Sequence, residues 1–137
     1  MAADRNGGSD RVVVLLDTNA LLIPQRSGVD IFAGLQEIYG TYEPVVPAEV
    51  VHELRALAQG RGKSAAAARF GLTLASGCRT LPPGNPNLPV DEIVAIQAEA
   101  LSAHVLTNDR KLKEALLQKG LPVIVLRNQK RLELIRK

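Results

Sequence analysis

Val12-Val13-Val14-Leu15-Leu16-Asp17-Thr18-Asn19 decides how the rest of the chain is read. Five successive β-branched or apolar side chains without alternation form the pattern of a strand covered on both faces, as in a parallel sheet. The run stops at a short polar segment headed by a carboxylate. Outward from it, strand and helix signals take turns. Ile31, Leu35 and Ile38 fall on helical spacing, and Gly40 closes that helix. Glu43 to Val46 is a short strand, followed by Pro47 in a first helical turn, where proline is tolerated. Val50, Leu54 and Leu57 then mark the buried stripe of a helix ending near Gly60.

The second half continues the alternation. Arg61-Gly62-Lys63 is expected as an exposed loop, with Ser64 capping an alanine-rich helix toward Ser76. Cys78 to Leu81 is a short strand, and the segment Pro82 to Asn87 carries too many prolines for either regular ladder. A helix from about Val90 is expected to face inward through Ile93, Ile96 and Leu101. His104 to Thr107 is the next buried strand, and Asp109 caps a helix with the stripe Leu112, Leu116 and Leu117, closed by Gly120. Pro122 to Leu126 is a strand, and beyond Arg127 the pattern is ambiguous. Such alternation favours a mainly parallel sheet with helices on both faces.

With 137 residues the chain has room for one compact domain, read here as residues 11–137 behind a flexible N-terminal tail at 1–10. Hydrophobic residues at 46% and charged residues at 23% match a globular protein rather than a disordered one. No apolar run reaches the roughly 18 residues of a membrane span, and no apolar segment near the start suggests export. The single cysteine, Cys78, cannot form an internal disulfide, so a cytoplasmic location is expected. No tryptophan and only two tyrosines and two phenylalanines argue against aromatic base-stacking platforms. The net charge of +3 is unevenly spread. Residues 1–109 hold 8 Lys/Arg against 12 Asp/Glu, whereas residues 110–137 hold 9 against 2, the footprint of a polyanionic partner.

Functional crevices of open α/β sheets lie beyond the carboxyl ends of the strands. Asp17 directly follows the first strand, Asp109 stands two residues after Thr107, Asp91 opens a helix, and Glu53 lies about two turns into the helix after Pro47. Each acid alone has an ordinary reading: a turn residue for Asp17, a solvated helix residue for Glu53, and N-caps for Asp91 and Asp109. Together they can converge on one rim. Two carboxylates about 4 Å apart repel by several kcal/mol at an intermediate dielectric, so one would take up a proton unless a cation lay between them. Carboxylate oxygens without imidazole or thiolate select hard cations, Mg²⁺ or Mn²⁺, and such a crevice suits phosphodiester chemistry.

Four segments resemble the motifs of PIN-domain ribonucleases. Val12 to Leu22, an apolar strand running into Asp17-Thr18-Asn19, resembles the family's opening motif. Pro47 to Leu54 is similar to the second, in which the glutamate before leucine, Glu53, is the acid. Val90-Asp91-Glu92-Ile93-Val94 resembles the third, and Val105 to Leu112, a strand into Thr107-Asn108-Asp109, the fourth. The motifs occur in the family's order and span roughly residues 11–127.

The resemblance implies a three-layer α/β/α sandwich and a metal-dependent endoribonuclease with Asp17, Glu53, Asp91 and Asp109 binding Mg²⁺ or Mn²⁺. Glu49 lies one turn before Glu53, but the motif assigns the role to Glu53. Asn19, Thr107 and Glu92 are expected to support the ligands, and Arg110, Lys111 and Lys113 to meet RNA phosphates, with Arg127, Lys130 and Arg131 extending the track. The family includes VapC-type toxins and ribosomal-RNA-processing nucleases, so an antitoxin or a ribosomal particle is an expected partner, as is a second copy of the chain. Two other readings compete. A PIN-fold module could bind RNA or a partner with only latent nuclease activity. A phosphotransfer domain of dehalogenase type would want an aspartate where Asn19 stands, and one of receiver type an aspartate after a middle strand, where Val45-Val46 leads into Pro47-Ala48-Glu49 instead.

Overall fold

The computed structural model describes residues 11–137, and the expected tail at 1–10 lies outside the described residues. The elements run β1 (Val12–Leu16), α1 (Thr18–Ser27), α2 (Ile31–Tyr39), β2 (Tyr42–Pro47), α3 (Ala48–Ala58) and α4 (Lys63–Ala75). They continue with β3 (Arg79–Leu81), α5 (Val90–Leu101), β4 (His104–Leu106), α6 (Arg110–Gln118), β5 (Val123–Arg127) and β6 (Arg131–Ile135). The six strands form one sheet in the order β3-β2-β1-β4-β5-β6. All neighbouring pairs are parallel except β5 and β6.

The unbroken apolar run of β1 has its expected consequence. Val14, Leu15 and Leu16 are fully buried at the centre of the sheet, flanked by β2 and β4. Around it, α1, α3 and α4 pack on one another, while α5 packs on α6 and on β1. The result is a three-layer α/β/α sandwich. Strand order reverses between β1 and β4, because the chain winds from β1 through β2 to β3 and then returns to β4 on the other side of β1. At such a reversal the connections leave in opposite directions and open a crevice above the strand ends. Asp17 and Thr107 follow the last residues of these two strands.

Several sequence expectations are corrected. The polar segment after β1 is the start of a helix, α1, which continues through Pro24 to Ser27 and buries Ala20, Leu21, Leu22 and Ile23. Four adjacent buried side chains leave no amphipathic period to read. Pro47 ends β2 and precedes α3 rather than lying in its first turn. Lys63 is the first residue of α4, and Gly62, at φ 88°, occupies the cap position expected for Ser64. Leu57 and Ile96 are 40% and 54% exposed, so neither belongs to a buried stripe. On α5 the inward side chains include Val94 and Ala98, and Ile96 is two residues, about 200°, from Val94. The ambiguous end beyond Arg127 is a β-hairpin, turning at Asn128 and Gln129 with φ 54° and 57°. No helix of the described residues is long and apolar enough to cross a membrane.

Candidate metal centre

Asp17 is buried, at 7% exposure, because β1 delivers it straight from the sheet centre into the first turn of α1. Its Oδ1 accepts from the Ala20 amide at 2.8 Å, capping α1. Its Oδ2 accepts from the Thr107 hydroxyl at 2.6 Å. The same hydroxyl accepts from the Asp109 amide at 3.0 Å, and Asp109 Oδ1 caps α6 by accepting from the Leu112 amide at 2.9 Å. Both acids thus perform the capping task expected of ordinary turn residues and face the crevice as well. Asp91 does not cap: Pro89 holds that position, and Asp91 sits in the first turn of α5 with its carboxylate uncommitted to the helix. Glu53, exposed on α3, accepts a hydrogen bond from the Thr18 hydroxyl.

These four acids line one cleft of about 190 Å³ with Thr18, Asn19, Leu22, Val90 and Val94. Burial pushes the Asp17 carboxyl up to about 7, with repulsion from Asp109 and Asp91 adding to the rise and the Thr107 and Ala20 bonds opposing it. The Asp91 carboxyl is also raised. Loss of solvent around that group is the first cause, although the residue as a whole is exposed, followed by repulsion from Asp109 and Glu53; Lys111 pulls the other way. A buried acid raised to about 7 and repelled by two others is in the electrostatic condition that a divalent cation relieves. The donors are all oxygens, which fits Mg²⁺ or Mn²⁺. As the side chains stand, no three carboxylate, imidazole or thiolate groups among the described residues are close enough to enclose an ion. Glu53 and Asp91 are both exposed, so rotation of their side chains is the adjustment that would draw the set together.

The supporting residues divide. Thr107, fully buried, links Asp17 to Asp109, and Asn19 Oδ1 accepts from the Asn108 amide at 3.0 Å, holding α1 to the loop after β4. Glu92 lines the neighbouring groove between α5 and α6 rather than the cleft. Helical geometry also separates the three basic residues. Lys111 lines that groove beside Asp91, Arg110 pairs with Glu114 at 3.3 Å, and half-buried Lys113 lines neither groove nor cleft.

Three contributions were not singled out from sequence. Thr18 orients Glu53. Asn108 joins the loop after β4 to β5, its Oδ1 accepting from the Leu126 amide at 2.8 Å. Glu49 does not reach the cleft lining; its Oε2 accepts from the Gly84 amide at 2.6 Å and anchors the proline-rich loop that leads into Asp91. An Asx-rich strand end was the available signal for Asn108; the other two depend on partners about 35 residues away in the chain.

An acidic crevice at the reversal point of a mainly parallel sheet places the chain among α/β domains that gather carboxylates at their strand ends. The family of the PIN like domain matches residues 14–129, and the chain belongs to that family, as its four motifs suggested. It is 34% identical over 135 residues to Ribonuclease VapC9 of Archaeoglobus fulgidus, covering 96% of this chain and 95% of the relative. Among solved structures it is similar to the PIN domain endonuclease Utp24, with TM-score 0.75 and 22% identity over 91% of this chain and 92% of the other. A domain of a functionally unknown protein from Methanocaldococcus jannaschii also matches, with TM-score 0.62 and 15% identity over 84% of this chain and 91% of the other. These two likenesses concern the fold.

Proposed function

We propose that the chain is a nuclease of the PIN family, a divalent-metal-dependent endoribonuclease that hydrolyses RNA phosphodiester bonds. The observation that carries this reading is the raised carboxyl of buried Asp17, repelled by Asp109 and Asp91 in the cleft they share with Glu53. Asp17, Asp91, Asp109 and Glu53 would hold Mg²⁺ or Mn²⁺. When bound, such an ion supplies water activation and neutralises charge developing on a phosphodiester. The protein's own part is positional. Thr107 and the Ala20 amide hold the two oxygens of Asp17, and Thr18 holds Glu53. Asn19, through the Asn108 amide, keeps α1 and the β4 loop in register. Leu22, Val90 and Val94 supply the apolar part of the cleft lining. Lys111 stands at the edge of the cleft, next to Asp91, where it would meet a flanking phosphate.

The near-full-length identity to a VapC ribonuclease supports a toxin-type role, with a small antitoxin as protein partner. RNA cleavage by wild type and Asp17→Asn, each with Mn²⁺ and with EDTA, tests the proposal. Cleavage only by wild type with Mn²⁺ is expected, and a circular RNA substrate reports internal cutting. Equal rates in all four samples would remove the metal-dependent reading, and no cleavage in any of them would leave a binding module.

A further inference from the structure

The acidic cleft is not closed on the side of α5. A groove of about 330 Å³ runs between α5 and α6, and Asp91 lines both the groove and the cleft, so the two meet at that residue. The groove is lined by Ala95, Leu112 and Ala115, small or apolar side chains that leave space between the helices. Lys111 and Lys119 also line it, one at each end of α6. A rise of 1.5 Å per residue puts their Cα atoms about 12 Å apart along the helix, a separation that two long, flexible side chains can close onto the phosphates on either side of one nucleotide. Among the described residues the Lys119 ammonium pairs with Glu99, at 3.8 Å with both side chains well exposed, a pairing too weak to hold it against a phosphate.

A second basic surface exists and fits less well. The hairpin residues Lys130 and Arg131 border a groove of about 420 Å³ with a similar balance of acids, Asp30 and Glu37, but it shares no residue with the cleft.

We propose that the α5–α6 groove is a nucleotide subsite for single-stranded RNA, holding the residue next to the bond that is cut. This rests on the nuclease reading of the cleft and adds the place, and the side chains, that hold the nucleotide beside the cut. The backbone runs along α6, where Lys111 and Lys119 take successive phosphates, and the sugar or base lies over Ala95, Leu112 and Ala115. Glu92, on the α5 side, keeps the phosphates toward α6 by repulsion. A groove of this volume, at the lower end of small-molecule sites, takes one nucleotide and excludes a duplex.

The test compares cleavage of one short RNA, single-stranded and annealed to its complement, by wild type, Lys119→Gln, Lys119→Arg, Ala115→Glu and Lys130→Gln over a range of salt. Ala115 and Lys119 are exposed, so these changes leave the core intact. Expected are a KM raised roughly tenfold by Lys119→Gln and Ala115→Glu with kcat unchanged, and wild-type values for Lys119→Arg and Lys130→Gln. Lys119→Gln also flattens the slope of log KM against log salt by about 0.7, the loss of one phosphate contact on a single strand. The duplex is cleaved poorly. Wild-type KM in both groove variants, a salt slope altered by Lys130→Gln instead, or equal cleavage of the duplex overturns the subsite. If wild type cuts no RNA with Mn²⁺, the nuclease reading fails on its own. Fluorescence anisotropy with the same RNA then judges the groove: binding weakened by Lys119→Gln upholds it, and unchanged or absent binding overturns it.

Discussion

The Thr107 hydroxyl bridges two acids that lie 92 residues apart in the chain, donating to Asp17 Oδ2 at 2.6 Å and accepting from the Asp109 amide at 3.0 Å. One buried oxygen therefore fixes the two sides of the strand-order reversal relative to each other. It also lowers the Asp17 carboxyl against the stronger effect of burial, keeping the ionised form within reach.

Replacing Thr107 with valine keeps the shape and removes the bridge. A buried carboxylate oxygen and a backbone amide then lose a partner, which costs roughly 1–3 kcal/mol. Urea unfolding is expected to show that loss, and RNA cleavage to fall, while Thr107→Ser restores most of both. Wild-type stability and activity in Thr107→Val would deny the bridge its role.

Asp17 makes stability depend on pH in the presence of a chelator. Its carboxyl titrates at 3.8 as a free group and at about 7 in the fold, so the folded state holds that proton more tightly than the unfolded chain does. The contribution is fully present below pH 3.8 and is lost as pH rises to about 7. The loss from this group is at most about 4 kcal/mol. Unfolding of wild type and Asp17→Asn in EDTA, from pH 4 to 8, isolates it. Asp17→Asn is expected to gain on wild type as pH rises, and Mn²⁺ to restore wild type near pH 8. A difference between the two proteins that stays flat with pH contradicts this.

Gly71 is expected to resist substitution for a reason opposite to its helix propensity. Alanine at this α4 position would favour the helix by about 1 kcal/mol. Its Cβ, however, would stand 2.9 Å from the Leu21 carbonyl oxygen, a backbone atom no side-chain rotation can clear. Overpacking of this kind costs about 1–3 kcal/mol, so the net effect of Gly71→Ala is destabilising. Leu21 lies one turn from Asp17 in α1, so a displaced helix also lowers cleavage. Thermal unfolding decides it: an unchanged or raised Tm means the helices separate without cost.

Legibility in the sequence followed how local each signal was. The strand of Val12 to Leu16 and the cap of Asp109 are properties of short segments, and both were readable, whereas Asp17 was read as a turn residue and not as the cap of a helix. Helix α1 was not, because three successive apolar residues, Leu21 to Ile23, ahead of Pro24 show no face. The hairpin at the end was missed although Leu132 and Leu134 alternate with Arg131 and Glu133. Its turn uses Asn128 and Gln129 at positive φ, and only packing of Leu132 against Gly34 of α2 identifies the inner side. Leu57 and Ile96 were misassigned because hydrophobicity alone does not say where a neighbouring helix ends.

By itself the sequence determined a β/α alternation, a parallel sheet and acids placed at the ends of strands and the starts of helices, since these depend on periodicity, capping and breakers within a few residues. Only the tertiary structure decided that the four acids border one cleft, that Glu49 serves a loop instead, and that Lys111 and Lys113 part company. Those outcomes depend on strand order and helix rotation, which are set by burial across the whole core and leave no mark in any single stretch of chain.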